Sequence, residues 1–358
     1  MKKVVICVPS LAIGGAERFA VDLALTVDVN RFKVIVAITR TNVESFLKQQ
    51  LEQNHIHIVD LAAKEYPMML WKQLRFLKKE KPDVVHAQTG SILHMMLSCK
   101  LCNVPLRLYT VHNEAYLLYG NSKFKKAVYK MGFFFFKFKP IAICPMVKQT
   151  LIEDMGISEN RIVVVNNGVD TKRFVPAKTN RDDGVTRIIS VGTLYWIKNQ
   201  LMMIRVISEL HNLGYKVELT LLGDGEDRKK IQNMIKENKA ESYVFMLGSK
   251  KNVEEYLKQS DIYVSASKTE GLSLSILEAM ACGLPIVASD AGGTKDIVKD
   301  GVNGFLFRVD DEDGMKEALQ KLIQDKTLRK TYGQRSREIA EQWSAENCTH
   351  GYEAQYEM

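Results

Sequence analysis

The sequence has no long apolar run and no internal repeat. No stretch approaches the roughly 18 consecutive apolar residues that a membrane-spanning helix requires. No period of about 20–50 residues recurs, which argues against a solenoid. Hydrophobic residues make up 46% and charged residues 26% of the 358 residues, so neither a disordered chain nor a fibre is indicated. The length fits two globular domains of ordinary size.

Metal, redox and dinucleotide motifs are also missing. There is no carboxylate cluster of Asp-x-Asp form and no His/Cys set at zinc spacing, so we expect no tightly held metal or cofactor. Gly14 and Gly15 follow the first apolar run but lack G-x-G-x-x-G spacing, which disfavours hydride transfer. The six cysteines lie mostly in apolar runs, as buried, reduced thiols of a cytosolic protein do. Cys99 and Cys102 form a C-x-x-C without a second pair, so packing is favoured over metal or redox use.

Short β-branched runs alternate with longer segments of helical periodicity. Candidate strands are 2–8, 32–39, 56–60, 83–87, 106–111, 140–143 and 161–165, followed by 187–191, 217–222, 243–247, 261–265, 285–289 and 305–307. Candidate helices are 15–27, 43–53, 68–80, 90–101, 123–136, 198–213, 227–237, 274–282 and 311–341. This alternation predicts right-handed βαβ units and parallel sheets covered on both faces.

A polar segment without periodicity, residues 166–186, divides the two series and predicts an interdomain connection. We therefore expect an N-terminal domain over 1–170 and a C-terminal domain over 171–342, with a final helix near 343–358 that packs back onto the first. The predicted fold class is α/β, with two Rossmann-like, doubly wound parallel sheets facing a cleft. Ligands of such sheets bind beyond the carboxyl ends of the strands.

The strongest local pattern is TEGLSLSILEAMACGLPIVASDAGG, residues 269–293. Glu270 follows the strand 261–265, and a helix that begins near Ser273 and stops at Gly283 comes next. The amides at its start form an anion site, and Glu278 lies about one turn inside. A sugar nucleotide satisfies both features, because its diphosphate takes the amides and its hydroxyls donate to the carboxylates. The alternative is an amphipathic helix with solvated glutamates.

The E-x7-E spacing of Glu270 and Glu278 resembles the motif of retaining GT-B glycosyltransferases, especially family four (glycosyl transferases group 1). GGAER at 14–18 is similar to that family's N-terminal glycine-rich loop, NGVD at 167–170 to its interdomain segment, and VGTLYWIKN at 191–199 to its phosphate loop. GLPIVASDAGG at 283–293 continues the donor-domain pattern. The similarity covers nearly the whole chain in the right order.

The resemblance implies a role for each matching residue. Glu270 would hold hydroxyls of the transferred sugar, Glu278 the ribose, and Lys198 the diphosphate. His112, in TVHN after the strand 106–111, would meet the sugar from the N-terminal domain, so the implied catalytic residues are His112, Lys198 and Glu270. Gly14 and Gly15, also counted among the donor contacts, would let the backbone approach the diphosphate or the acceptor. The remaining implied donor contacts are Gly192, Thr193, Asn199, Gly248, Ser249, Lys250, Gly271, Leu272, Ser273, Leu274 and Ser275.

Three positions have competing interpretations. The family usually has arginine after the glycine of the phosphate loop. Here Thr193 supplies a hydroxyl, which has neither the positive charge nor the paired donors of a guanidinium group. An isolated histidine near an apolar strand is commonly structural. Because His112 lies at the predicted cleft, a functional role and a structural role are equally favoured for it. Glu17, considered with Asn113 for the acceptor side, is equally explained as a favourable acidic residue in the first turn of a helix.

The positive charge is concentrated in the first half of the chain. Residues 1–180 carry 26 Lys/Arg against 14 Asp/Glu, a net of +12, and residues 181–358 carry 24 against 28, a net of −4, which sum to +8. Residues 123–139 (KFKKAVYKMGFFFFKFK) and 64–81 combine lysines with aromatics, a pattern typical of helices at an anionic membrane surface. FFFF as ordinary core is the alternative. No nucleic-acid-binding module is recognisable.

The predicted function is transfer of a hexose from a nucleoside-diphosphate sugar, with uridine favoured, to a hydroxyl of a lipid-linked or polysaccharide acceptor in cell-surface glycan biosynthesis. The resemblance implies retention at the anomeric carbon. We expect a cytoplasmic enzyme that is peripheral at the inner face of the membrane. A sugar-nucleotide epimerase or hydrolase, or a catalytically silent nucleotide-sugar-binding subunit, are the alternatives.

Overall fold

The computed structural model describes residues 1–12, 14–177 and 183–358. They form two compact units, which we call the N-terminal unit (Met1–Asn167 with Glu346–Met358) and the C-terminal unit (Gly168–Ala345). Ile13 of the first glycine-rich loop and residues 178–182 of the expected interdomain connection lie outside the described residues.

The N-terminal unit is built on a seven-stranded parallel sheet of order β3-β2-β1-β4-β5-β6-β7. Its strands are β1 (Lys2–Val8), β2 (Phe32–Ile38), β3 (His57–Asp60), β4 (Val84–Gln88), β5 (Leu106–Val111), β6 (Lys139–Ala142) and β7 (Val163–Val164). Its helices are α1 (Gly15–Thr26), α2 (Phe46–Gln53), α3 (Tyr66–Glu80), α4 (Ser91–Leu101), α5 (Ala115–Tyr119), α6 (Lys123–Phe134), α7 (Pro145–Met155) and, from the end of the chain, α15 (Ala345–Tyr356).

The C-terminal unit has a six-stranded parallel sheet of order β10-β9-β8-β11-β12-β13. Its strands are β8 (Thr186–Val191), β9 (Val217–Leu222), β10 (Val244–Gly248), β11 (Ile262–Ser265), β12 (Ile286–Ser289) and β13 (Gly304–Phe307). Its helices are α8 (Gln200–Asn212), α9 (Arg228–Glu237), α10 (Val253–Leu257), α11 (Leu274–Ala281), α12 (Thr294–Ile297), α13 (Glu312–Gln324) and α14 (Lys326–Gln342). The predicted α/β class with two parallel sheets is confirmed.

The central strands are apolar on both faces because helices cover both sides of each sheet. In β1, Val4, Ile6 and Val8 belong to one core cluster, and all residues from Val4 to Val8 are fully buried. This explains why these strands have continuous apolar runs rather than alternation. The helices are amphipathic instead; α9, for example, buries Ile231 and Ile235 at i, i+4 spacing.

Helix α15 completes the core of the N-terminal unit. Cys348, Tyr352 and Tyr356 are buried in the cluster formed by β1, α1 and β4. At the rim, the Glu353 carboxylate accepts from Arg31 at 3.1 Å and from the Asp28 amide at 2.8 Å. The C-terminal segment is therefore part of the first unit by packing, although it is far from it in sequence.

The largest departures from the predicted elements are in helices. The segment 311–341 forms two helices rather than one, because the Asp325 side chain accepts from the Leu328 amide and caps a new start. Four short or weakly periodic helices were not predicted: α5, α7, α10 and α12. Three of them have only four or five residues, too few for a helical period to be visible in sequence.

Candidate functional site

Glu270 lies in the loop between β11 and α11, at the carboxyl end of the second sheet. Its carboxylate forms an ion pair with the Lys198 ammonium and accepts a hydrogen bond from the Ser267 hydroxyl at 3.2 Å. Its backbone carbonyl accepts from the amide of Gly293, the N-cap residue of α12, at 3.1 Å, which ties this loop to the one between β12 and α12. With 15% of its side chain exposed, Glu270 is held at the edge of the sheet rather than extended into solvent.

Lys198 reaches Glu270 from the loop that follows β8. A 3-10 turn over Trp196–Lys198 precedes α8, and the lysine stem lies across Gly192, with Cε 3.7 Å from where a Cβ would stand. Gly223, after β9, has a φ of 139°, and a Cβ there would collide with the Gly192 carbonyl oxygen. Glycine at these two positions lets the neighbouring loops approach closely under the lysine.

The other residues of this loop face different surroundings. Thr193 is exposed, and its carbonyl accepts from the Gln200 side chain at 3.0 Å. Asn199 has a left-handed backbone, with a φ of 52°, and its side-chain amide donates to Asp310 at 2.8 Å. The Asn199 side chain is thus engaged in fixing the loop, and its donor contact stays a prediction.

Helix α11 begins at Leu274, within the predicted start, and its N-cap residue is Ser273. The Ser273 and Ser275 hydroxyl oxygens are 3.1 Å apart. The first amides of a helix have no acceptor inside it and carry the positive end of its dipole. An anion at this edge therefore meets main-chain amides as well as the Lys198 ammonium.

A buried tyrosine under this edge is not predicted by the sequence pattern. The Tyr263 hydroxyl, on β11, lies 2.8 Å from Ser275 Oγ and 3.2 Å from the Val191 carbonyl oxygen, so it joins β8 to the start of α11. Burial raises the pKa of Tyr263; its hydrogen bonds to Ser275 and Val191 oppose this, and the charges of Glu278 and Glu270 add to it. A tyrosine inside an apolar strand gave no functional signal of its own.

Arg173 anchors the loop that follows β10. Its Nη2 donates to the Lys251 carbonyl oxygen and to the Glu254 carboxylate, both at 2.7 Å. Burial lowers the pKa of Arg173, but the Glu254 hydrogen bond and the charges of Glu254 and Glu278 outweigh it and raise the pKa. Three predicted donor-binding residues lie here: Gly248 ends β10, and Ser249 and Lys250 are exposed on the loop that follows.

In the N-terminal unit, His112 directly follows β5. Its Nε2 lies 2.6 Å from Gln88 Oε1, and its ring packs edge-on against Phe19 at 5.2 Å between centroids. Burial lowers the pKa of His112 to about 3, so the ring is neutral at physiological pH. A neutral imidazole can donate at one nitrogen and accept at the other.

The predicted glycine-rich loop lies at the same edge of the first sheet. Gly14 is the N-cap residue of α1, and the Glu17 carboxylate folds back over it. Burial raises the pKa of Glu17, and a hydrogen bond to its own backbone opposes this. Glu17 thus lies in the first turn of α1, where an acidic residue is favourable whether or not it has a function. Gly15 faces open space, and Asn113 is exposed.

No group of three or more His, Cys, Asp or Glu side chains suited to a metal ion occurs among the described residues. Cys99 is buried and Cys102 is half-buried; both are free thiols. The chemistry available at the two sheet edges consists of anion binding, carboxylate acceptors for hydroxyl groups and a neutral histidine.

Part of the aromatic, basic surface predicted for a membrane is exposed. The FFFF run is split, because Phe133 and Phe136 are buried whereas Phe134 and Phe135 are 46% and 61% exposed. Lys139, at the end of the predicted segment 123–139, lies in β6 and bonds to Gln355 instead. The large apolar side chains exposed on α3, α6 and the turn after α6 are Tyr66, Met68, Trp71, Phe124, Met131, Phe134 and Phe135. Within the described ranges, no helix has the length and apolarity to cross a bilayer.

Two family descriptions match the chain: "Glycosyltransferase Family 4" over residues 13–173 and "Glycosyl transferases group 1" over residues 171–339. The UDP-Gal:alpha-D-GlcNAc-diphosphoundecaprenol alpha-1,3-galactosyltransferase of Escherichia coli is 31% identical over 275 residues, 71% of this chain and 70% of that protein. The N-acetylgalactosamine-N,N'-diacetylbacillosaminyl-diphospho-undecaprenol 4-alpha-N-acetylgalactosaminyltransferase of Campylobacter jejuni is 26% identical over 350 residues, 93% of each chain.

Among solved structures, Anabaena HepE in complex with UDP and glucose superposes with a TM-score of 0.87 at 21% identity, over 99% of both chains. Together with the two parallel sheets, these matches define a glycosyltransferase of the GT-B type. The chain belongs to glycosyltransferase family 4, of the glycosyl transferases group 1 type, so the resemblance found in the sequence is confirmed.

Proposed function

We propose that this glycosyltransferase moves a hexose from a UDP-sugar to a hydroxyl of a lipid-linked or polysaccharide acceptor, with retention, in cell-surface glycan biosynthesis. The observation that carries the proposal is the edge of the C-terminal sheet, where Lys198, Glu270 and the start of α11 meet. The names of the two bacterial relatives specify lipid diphosphate acceptors, and HepE was solved with UDP and glucose. These names support the donor and acceptor classes.

The C-terminal unit would hold the donor. The diphosphate binds the amides of residues 271–275 and the Lys198 ammonium, because both are positive and lie at one edge. Glu270 accepts from hydroxyls of the sugar, and Glu278 from the ribose. Ser249 and Lys250, on the loop anchored by Arg173, lie toward the base.

Donor binding must rearrange the Lys198–Glu270 ion pair. The diphosphate brings more negative charge than one carboxylate, so the lysine turns to the phosphate and releases Glu270 for the sugar hydroxyls. The bond between the anomeric carbon and the diphosphate oxygen then breaks while the acceptor oxygen bonds to the same face of that carbon. The departing phosphate takes the acceptor proton. Positioning and stabilisation of charge on the leaving group supply the rate enhancement.

The N-terminal unit would receive the acceptor at the inner face of the membrane. Its lysines on α6 and the exposed rings of α3 and α6 suit an anionic bilayer surface. We therefore propose a cytoplasmic enzyme that is peripheral at the inner face of the membrane.

A donor screen followed by an acceptor screen tests the function. UDP-sugars should raise the melting temperature more than GDP- or ADP-sugars, and the best donor should transfer its labelled sugar to a lipid extract that contains polyprenyl diphosphate sugars. The anomeric configuration of the product, read by NMR, should equal that of the donor. Donor hydrolysis or epimerisation that ignores every acceptor would overturn the transferase proposal, and an inverted product would overturn retention.

A further inference from the structure

A ladder of polar side chains connects His112 to the C-terminal helix. His86 and Gln88 are two residues apart on β4. Thr110 on β5 and His112 just beyond it are also two residues apart, and Gln88 pairs with Thr110 in the register of the two strands. Because side chains two residues apart share a face, all four point to the side that α15 covers. His86 and Thr110 are fully buried and Gln88 is nearly so.

The distances in this ladder define a continuous chain of hydrogen bonds. His86 Nδ1 lies 2.8 Å from the Tyr356 hydroxyl, and His86 Nε2 lies 3.0 Å from Gln88 Nε2 and 2.7 Å from Thr110 Oγ1. At the other end, Gln88 Oε1 lies 2.6 Å from His112 Nε2. Three hydrogen bonds thus separate Tyr356 from His112.

Donor and acceptor chemistry assigns each proton in the chain. An amide oxygen can only accept, so His112 Nε2 must carry hydrogen and donate to Gln88. An amide nitrogen can only donate, so His86 Nε2 must be the unprotonated nitrogen. His86 then carries its hydrogen on Nδ1 and donates it to Tyr356.

We propose that Tyr356, His86 and Gln88 are positioning residues that hold His112 in the Nε2–H tautomer, which leaves Nδ1 to accept a hydrogen bond from a hydroxyl of the transferred sugar. The role of that sugar contact rests on the proposed function, whereas the tautomer does not. Among the described residues, His112 Nδ1 makes no hydrogen bond that would compete. The C-terminal helix thereby contributes to the site although none of its residues follows a strand end.

Tyr356→Phe tests the chain of hydrogen bonds at the end farthest from His112. Without the tyrosine hydroxyl, His86 Nδ1–H loses its acceptor, and the favoured arrangement places the hydrogen on Nε2, facing Thr110. Gln88 must then turn its amide oxygen toward His86 and its amino group toward His112. His112 Nε2 becomes an acceptor, and its hydrogen moves to Nδ1.

Tyr352→Phe is the matched control on the same helix. The Tyr352 hydroxyl lies 3.0 Å from Thr110 Oγ1 and is equally buried. Thr110 donates to His86 whether or not the Tyr352 hydroxyl is present. This variant therefore removes a buried hydroxyl but leaves the donor and acceptor of each hydrogen bond between Tyr356 and His112 unchanged.

The readout is the ¹⁵N chemical shifts of the histidine ring nitrogens in the full-length protein, which distinguish protonated from unprotonated nitrogen. Wild type and Tyr352→Phe should show His112 with hydrogen on Nε2, and Tyr356→Phe should show it on Nδ1. The same tautomer in all three proteins, or hydrogen on Nδ1 in wild type, would overturn the proposal. If Tyr356→Phe does not fold, Gln88→Met should show both His112 tautomers, and one fixed Nε2–H tautomer would overturn it.

Turnover separates this inference from the proposed function. Tyr356→Phe should lower kcat about tenfold, as expected for one neutral hydrogen bond to the reacting sugar, with KM for the donor changed less, while Tyr352→Phe stays near wild type. A switched tautomer with unchanged kcat would overturn the sugar contact. A wild-type protein without transfer activity would reject the proposed function, and the ring-nitrogen shifts would still decide the tautomer.

Discussion

Lys198 and Glu270, 72 residues apart in sequence, form an ion pair at the carboxyl edge of the C-terminal sheet. Each partner was predicted to bind a different part of the same ligand, the lysine its diphosphate and the glutamate its sugar. The pair brings two opposite charges together at this edge. It also makes the two residues energetically coupled, because removing either leaves the other without its partner.

We expect Lys198→Ala to reduce kcat about a hundredfold, because removal of one donor to a developing oxyanion commonly costs roughly 3 kcal/mol of barrier. Steady-state turnover with a saturating UDP-sugar measures this. Lys316→Ala removes a lysine that is also ion-paired in the C-terminal unit, with Glu209 and Asp313, and should stay near wild type. A loss below about threefold for Lys198→Ala would reject the role of this lysine.

Changing each of the two glutamates to glutamine should affect different steps: turnover for Glu270 and nucleotide binding for Glu278. Glu270→Gln should lower turnover about thirtyfold, since a hydrogen bond to a charged group is worth roughly 2 kcal/mol, and should hardly change UDP affinity because Lys198 is freed for the phosphate. Glu278→Gln should instead weaken UDP binding about tenfold. Calorimetry with UDP and turnover on both variants provide the comparison. Reversed effects would overturn the assignment of sugar and ribose contacts.

Thr193→Arg should tighten UDP binding about tenfold, because a guanidinium adds charge and a forked donor to the phosphate loop. The exposed position of Thr193 leaves room for the longer side chain. Thr193→Gln is the control of comparable length without charge and should change affinity little. Equal affinities for the arginine and glutamine variants would show that this position does not face the diphosphate.

Charge reversal on α6 should abolish binding to anionic vesicles. Each lysine near such a surface contributes about 1 kcal/mol, so changing Lys123, Lys125 and Lys126 to Glu should weaken partitioning more than about a hundredfold. Vesicle flotation with phosphatidylserine liposomes measures it. The same change at three lysines of the C-terminal unit, on and just after α9, controls for net charge: Lys229, Lys236 and Lys239. Equal flotation of wild type and the α6 variant would remove the membrane proposal.

Burial of His86 should make folding sensitive to acid. Burial, with a smaller contribution from His112, lowers its pKa to about 3, against about 6.5 in an unfolded chain. As the pH falls below about 6.5, the unfolded state binds a proton that the folded state does not, so the free energy of unfolding falls. His86 alone should contribute a slope of about 1.4 kcal/mol per pH unit. Urea unfolding of wild type and His86→Gln should show this difference, and equal slopes would contradict it.

The fold was predictable because β-branched runs, helical periods and chain order each indicated the same architecture. Most strand bounds agree to within one residue; β11, expected at 261–265, is Ile262–Ser265. The split between α13 and α14 was missed because a single capping aspartate, Asp325, interrupts an otherwise continuous helical pattern.

The candidate site was predictable only in part. That Glu270 and Lys198 share one sheet edge was predictable, because each follows a strand and matches a motif, and parallel strands bring their carboxyl ends to one edge. Tyr263, Arg173 and the chain from Tyr356 to His112 were not found. These residues act through partners that are distant in sequence, and nothing in their local pattern distinguishes them from ordinary core or surface residues.

An amide NMR titration of the ¹⁵N-labelled, full-length protein with UDP tests most directly whether main-chain amides at the start of α11 bind the diphosphate. We expect UDP to shift the amide resonances of residues 271–275, and UMP, which lacks the second phosphate, to shift them much less. Saturable UDP binding that leaves these five amides unchanged would contradict diphosphate binding at the start of this helix.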